Sequence, residues 1–490
     1  MASRRLLRRH GGKEKLVCRG FARRIIVRTF ILSLCLLVFC SGGRVFAQTN
    51  FLDMSFDPGT GAQGGFVESM VIQLDGKILI CGNFSSFNGH PRSYVARLHS
   101  NGSVDTNFVA DVSYWTRSMA LQSDGKVVIG GFFNFVGGVS RNLIARLNPD
   151  GRHDTTFTPG TGGTGILGAG IDGNADPFVF AIAIQSDNKI IIGGNFANYD
   201  GVNRRGIARL NTNGVLDTTF VVGSGVNSWV RSLRVQTNDQ ILVSGWFTSY
   251  NNQSFNRMVR LNPSGSADTG FNAFFGDQTA IYTVAPLNDG KLVVGGHTVN
   301  SNSVFQQEIV RLHPNGSYDT NFNNGGSGAN DKVQSIALQS DGKIVLGGFF
   351  RSYNGAGDQN IARLHPNGTL DETFTADVNS WIWTVLVQPD GRILICGGFN
   401  SVNGVARSGI ARLNSSPSPR LFNAKRYADR FEVSVISQSG KNYSLQYNES
   451  LTSSNWTSLL PVAGDGGVKL LIDPSPSNTN RYYRVIQTDL

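Results

Sequence analysis

The chain has 490 residues, with 44 Lys and Arg against 34 Asp and Glu, a formal charge of +10. Eleven of the basic residues and one acid, Glu14, lie within 1–47, so residues 48–490 carry 33 of each sign and are neutral. That balance excludes the basic surface a nucleic-acid partner requires. Only 16% of residues are charged, against about a quarter in typical domains, and 59 Gly with 15 Pro point to a turn-rich all-β chain, neither helical nor disordered.

The basic stretch 4–28 precedes an apolar run, 30–40, followed by Ser41-Gly42-Gly43-Arg44 and Val45-Phe46-Ala47. This is the order of a secretory signal cut before Gln48. The run falls short of the roughly 20 residues of a membrane helix, and no later stretch reaches that length. The expectation is export after removal of a 1–47 signal peptide, to the medium, the periplasm or the cell surface, with no membrane span left.

From 51 to 414 the sequence repeats. A branched residue, then Ala or Val, Arg and Leu recurs at Arg97, Arg146, Arg209, Arg260, Arg311, Arg363 and Arg412, at steps of 49 to 63 residues. Asp-x-x-Phe begins at Asp53, Asp105, Asp154, Asp217, Asp268, Asp319 and Asp371. A third element reads Gln122-Ser-Asp-Gly-Lys-Val-Val-Ile-Gly-Gly131 and its counterparts. Repeats near fifty residues, each with several short strands, predict the blades of a seven-bladed β-propeller, four strands to a blade.

In the second unit, Arg117–Gln122 alternates ahead of Ser123-Asp124-Gly125. Lys126–Phe132 then leads to a longer loop, Asn142–Asn148 to Pro149-Asp150-Gly151, and the last strand is Arg152–Phe157. Three-residue hairpin loops closed by Gly place Arg146 opposite Asp154, so a cross-strand ion pair is expected in every blade. Arg412 has no Asp eight residues later and Asp53 has no Arg before it. The two complete one another if strand 51–57 closes the last blade from the other end of the chain, which also removes an exposed sheet edge.

Cys81 and Cys396 are the cysteines outside the leader. They occupy a slot that holds Gly130, Gly193, Ser244, Gly295 and Gly347 elsewhere, and read as two small core residues. Equivalent positions in adjacent blades are expected to exceed the roughly 7 Å reach of a disulfide.

Phe51-Leu-Asp-Met-Ser-Phe-Asp-Pro-Gly, Leu121-Gln-Ser-Asp-Gly-Lys-Val-Val-Ile-Gly-Gly-Phe-Phe and Ile361-Ala-Arg-Leu-His-Pro-Asn-Gly-Thr-Leu-Asp-Glu-Thr-Phe resemble the delta-60 repeat of secreted bacterial proteins. The resemblance extends over the seven units of 48–414 and implies a bacterial β-propeller; it brings no enzymatic activity with it. After a linker at 415–419, residues 420–490 read as strands at Phe431–Ile436, Tyr443–Tyr447, Val468–Ile472 and Tyr482–Val485. The pattern of Tyr443, Leu451, Trp456 and Tyr482-Tyr-Arg-Val485 resembles the C-terminal β-sandwich modules of secreted planctomycete and verrucomicrobial proteins, and implies a spacer or anchoring module.

The repeated Asp-Gly turns and Arg–Asp pairs read as structural, since hairpins demand those residue types. His99, His313 and His365 sit where other units place a turn Asn. No zinc spacing, Gly-x-Ser-x-Gly, phosphate loop or His-Glu-x-x-His is present, so no catalytic residue, metal or cofactor is assigned. Asp57, Asp111, Asp172, Asp176, Asp277, Asp331 and Asp377 fall in the inter-blade loops. Without Asp-x-Asp-x-Asp spacing they read as Asx turns in preference to a calcium site.

Non-repeated residues are where a ring binds something. Aligned on Ser69, Ser118, Ala181, Ser232, Thr283, Ser335 and Thr384, the residue three before is Phe66, Trp115, Phe178, Trp229, Ala280, Lys332 and Trp381. The Trp side chains at 115, 229 and 381 either present a stacking face or wedge between blades. The residue one before the anchor is Glu68, Arg117, Phe180, Arg231, Tyr282, Gln334 and Trp383, a column expected to line the mouth of the central channel. The insertion 160–177 reads as a Gly-rich loop.

The expected protein is thus an exported, non-catalytic binding or adhesion scaffold for a glycan or protein ligand. Its candidate ligand residues are Trp115, Trp229, Trp381, Glu68, Arg117, Arg231, Tyr282 and Trp383. The alternatives are a polysaccharide lyase or hydrolase acting at the channel mouth, which needs converging titratable groups, and a structural envelope component.

Overall fold

The computed structural model describes residues 51–159, 171, 176–276, 279–298, 308–357, 359–416, 421–427, 429–437, 440–449, 456–476 and 481–489. The leader read over 1–47, most of the 160–177 insertion, and Asp172 and Asp277 lie outside them. Every regular element among the described residues is a β-strand.

Seven antiparallel three-stranded sheets follow one another. Their inner strands are Phe66–Ile72, Thr116–Leu121, Phe178–Ile184, Val230–Val235, Thr279–Pro286, Val333–Leu338 and Ile382–Val387. Each inner strand pairs with a second strand, as Thr116–Leu121 does with Val127–Gly131, and this pairs with a third, as with Ile144–Leu147. The tight turns form as their residue types require. Gly125 and Gly151 take φ of +82° and +92°, and a Cβ on Gly151 would lie 2.8 Å from the Val109 backbone.

The segment read as a fourth strand is reduced to one bridge per blade, such as Leu147↔His153. The cause is the Asp-x-x-Phe element. The Asp154 carboxylate accepts from the Thr156 amide and hydroxyl, and the Phe157 amide donates to the Asp154 carbonyl, so the backbone turns after the bridge. The loop between second and third strands carries structure that the sequence reading missed: two-residue hairpin arms such as Phe135–Val136 with Val139–Ser140.

All seven Arg–Asp pairs form, with guanidinium Nε 2.7–2.9 Å from the carboxylate. The Arg412–Asp53 pair joins the last repeat to the first, beside the Leu52↔Leu413 bridge. Each guanidinium also lies 4.6–4.9 Å from the ring of the Phe in Asp-x-x-Phe. Its Nη1 donates to a backbone carbonyl of the following blade: Arg97 to Pro149, Arg146 to Thr212, Arg209 to Pro263, and so on to Arg363 with Ser415 and Arg412 with Ser100. The Lys of the Asp-Gly-Lys turn reaches the same Asp, as Lys126 does Asp154 at 2.9 Å. Arginine, aspartate, phenylalanine and lysine recur together because they form one clamp.

The core lies between blades. Leu394, Cys396 and Ile410 of the last repeat share a buried cluster with Val67, Ile80 and Phe84 of the first. The small slot is explained by the same packing: a Cβ on Gly130 would sit 2.6 Å from Val179 Cγ1 of the next blade. Cys81 and Cys396 occupy this slot as buried free thiols.

Beyond the linker, one sheet orders Leu421–Arg426, Phe431–Ile436 and Val468–Asp473. A second is built on Lys441–Asn448, paired with Tyr482–Asp489, Thr457–Ser458 and Val462–Ala463. Val433, Val435 and Leu471 of the first sheet share a buried cluster with Tyr443 and Leu445 of the second.

Candidate functional site

Each inner strand contains one β-bulge. The pairing with the second strand skips a residue between Val67 and Ser69, Thr116 and Ser118, Val179 and Ala181, Val230 and Ser232, Ile281 and Thr283, Val333 and Ser335, and Ile382 and Thr384. The skipped residues are Glu68, Arg117, Phe180, Arg231, Tyr282, Gln334 and Trp383, the column singled out in the sequence. A bulge releases its residue from the ladder and re-aims the side chain. All seven line one cavity of about 440 Å³ where the seven inner strands meet. Strict alternation does not anticipate the bulge; the divergence of the column marks its position without revealing it.

The cavity lining carries one carboxylate and three guanidiniums. Glu68 is buried and fully engaged: Oε1 lies 2.8 Å from Arg117 Nη2, and Oε2 accepts from Trp115 Nε1 at 2.7 Å. Burial pushes the Glu68 carboxyl up, against the pull of Arg117 and Trp115. Arg231 lies between the Phe180 and Tyr282 rings, 4.1 and 5.0 Å from their centroids. Burial, together with the Arg117 charge, brings it down to about 10, so it stays cationic at neutral pH.

The third arginine, Arg234, was not singled out in the sequence. It sits two residues beyond the anchor, where the other blades carry Val71, Ala120, Ala183, Ala285, Ala337 and Leu386. That divergence was the signal available. Its Nε donates to the Val284 carbonyl at 3.2 Å, and its side chain is exposed in the channel.

Trp115, Trp229 and Trp381 lie outside the cavity lining, in an arc of rings along the rim. Trp381 stacks on Phe349 (5.8 Å, 5°), which meets Trp383; Trp383 meets Phe66, and Phe66 meets Trp115. Trp115 stacks on Phe132 (5.1 Å, 18°), Phe132 meets Phe178, and Phe178 meets Trp229. The three residues differ in their surroundings. Trp115 is half-buried and donates to Glu68, Trp381 is 37% exposed, and Trp229 lines a hollow of about 300 Å³ with Trp246, Ile171 and Asn227.

The arc breaks at the fifth blade, where Ala280 and His297 replace the rings. His297 Nδ1 lies 3.6 Å from Glu308 and 3.8 Å from Asp331, and burial with nearby Lys332 pulls its pKa down. Among the described residues no three His, Cys, Asp or Glu side chains gather as a metal group. Asp57 accepts from the Gly59 amide at 3.0 Å and Asp331 from the Lys332 amide at 2.7 Å, so these two serve their own loops. No helix among the described residues is long and apolar enough to cross a membrane.

Seven repeats around a channel lined from every blade define a β-propeller. The chain belongs to the β-propeller family described as a domain of unknown function, DUF5122, whose model matches 73–108, 122–157, 185–220, 236–271, 287–322, 339–374 and 388–416, half of the sequence. No curated protein matches it. Similar solved structures include the extracellular domain of the one-component system BT4673 of B. thetaiotaomicron, at 13% identity and a TM-score of 0.46 over 78% of this chain and 46% of that one. The chain thus spans about half the length of that structure. The WD40 propeller of Doa1 is 14% identical, with a TM-score of 0.44 over 72% and 93%. PorZ, a surface component of the type-IX secretion system of Porphyromonas gingivalis, is 12% identical, with a TM-score of 0.41 over 88% and 60%.

Proposed function

We propose that this chain is an exported, non-catalytic binding module whose propeller takes a glycan at the channel mouth and the adjoining aromatic arc. The observation that carries the reading is the bulge column. Seven equivalent positions are turned into one cavity, and they hold seven side chains of six residue types, while the clamp residues around them hardly vary. Aromatic walls beside polar groups suit sugar rings. The reading is non-catalytic because both oxygens of the channel's carboxylate are already engaged by Arg117 and Trp115.

In this reading residues 1–47 are the signal peptide and 48–414 the propeller, with the single-bridge segment of each unit serving as a short fourth strand. Residues 415–419 form the linker, and 420–490 a small β-sandwich that spaces or anchors the propeller.

The test is a glycan array on the purified chain, with and without EDTA, beside the Trp229→Ala/Trp381→Ala double variant. Saccharide binding that survives EDTA and falls in the variant is expected. A folded protein that binds no glycan overturns the reading and favours a protein ligand.

A further inference from the structure

The channel holds more positive charge than its fold uses. Arg117 is matched by Glu68, but neither Arg231 nor Arg234 has a carboxylate within ion-pair distance among the described residues, and the lining offers no second acid. Arg231 is half-buried, and burying a cation without a counter-charge is costly; Arg234 is exposed in the channel, and both arginines sit at positions where sister blades do without one. Gln334 stands at the Arg231 position in the sixth blade, and Ala120, Ala183, Ala285 and Ala337 at the Arg234 position. Repeat packing therefore does not require these guanidiniums.

Their surroundings indicate what they would meet. Arg231 is held between the Phe180 and Tyr282 rings, and Arg234 reaches the same cavity three residues further along the strand. Ser232, Thr283 and Ser335 also line the space. A volume of about 440 Å³ falls within the roughly 300–1,000 Å³ of small-ligand pockets. Guanidiniums bind carboxylates through paired N–H donors, while aromatic faces suit a sugar ring.

Resting on the reading of the channel as a glycan site, we infer that its ligand is a carboxylate-bearing saccharide of the uronic-acid class, with Arg231 and Arg234 taking the carboxylate.

The experiment is calorimetric titration of the purified chain with uronic-acid disaccharides, the matching neutral disaccharides, and inorganic sulfate. It is run on the unaltered protein and on Arg231→Gln and Arg234→Ala. Both substitutions borrow residues that this chain already tolerates at equivalent positions, and circular dichroism confirms their folding. The expected result is binding of a uronic-acid disaccharide that weakens at least tenfold in each folded variant and falls as salt rises, with neutral disaccharides bound more weakly. Uronate binding unchanged in both variants overturns the inference. So does sulfate binding as tight as the uronate, which marks a plain anion site. Neutral disaccharides preferred over uronates overturn it too, yet leave the glycan reading standing, whereas the absence of any saccharide binding fells both.

Discussion

The propeller contains two rings of arginine, and they are built on opposite terms. On the outer ring each guanidinium has its own aspartate, its own phenylalanine face and a carbonyl of the next blade, seven times over. In the channel three arginines line one cavity with a single glutamate, which pairs with Arg117 alone, and the bulge that aims two of them presents five other residue types in the remaining blades. Where every group is satisfied locally, the residue serves the fold. Where charge is left over at a position the fold does not constrain, the residue is what the proposed reading assigns to a ligand.

Five measurements press on this contrast. Arg363→Ala should cost the most, about 3 kcal/mol by denaturant unfolding. It takes from Asp371, whose side chain is 2% exposed, its arginine partner, leaving Lys343 at 2.9 Å, and frees the Ser415 carbonyl; a loss below about 1 kcal/mol would place the clamp among ordinary surface pairs. Gly130→Ala should cost about 1–3 kcal/mol by overpacking the blade contact against Val179, read as a lowered Tm.

Acid should act on the outer ring next. Burial opposes ionisation of Asp217, but Thr219, Lys189 and Arg209 hold it at about 2, and the Lys291 and Arg311 bonds hold Asp319 there too, against an ordinary 3.8. A carboxyl lowered on folding adds stability above its unfolded pKa and loses it as pH falls through the folded one. The unfolding midpoint should therefore hold down to about pH 4 and decline toward pH 2. Thr219→Val, which deletes the 2.6 Å hydroxyl bond to Asp217, should lower stability above pH 4 by about 1 kcal/mol and flatten that decline. Arg234→Ala should have the smallest effect on stability, within about 0.5 kcal/mol. A large loss there would show that the channel arginine is structural and erase the distinction between the rings.

Much of this was legible in the sequence because each clamp residue repeats seven times at fixed spacing. The Arg146–Asp154 register follows from the length of its hairpin loop, and the joining of Asp53 to Arg412 from the two unpaired motif members. The channel column was legible as divergence at one aligned position. Its physical cause was not, since a bulge alters parity without leaving a residue signature. Arg234 lies two residues beyond the anchor, at a position where the other blades carry only Val, Ala or Leu, so its charge stands out only against that alignment. The roles of Trp115 and Trp381 were inseparable in sequence, where the same residue occupies the same slot. What divides them is the neighbour: Glu68 and Phe132 engage one, while the indole of the other packs directly on Gly398, where a Cβ would lie 2.3 Å from it.

The interblade bonds of the clamp all run in one direction. Each blade gives its guanidinium to the blade that follows, and the last, through Arg412 and the Ser100 carbonyl, gives it to the first. An open array of repeats has two end members with unmet surfaces, and melts from them inward. Here donors and acceptors form a cycle, so no blade is terminal in the energetic sense although the polypeptide has two ends. Fraying therefore has no natural starting place: the first blade to leave must break a clamp on each side, and the propeller should hold or fail as a single unit.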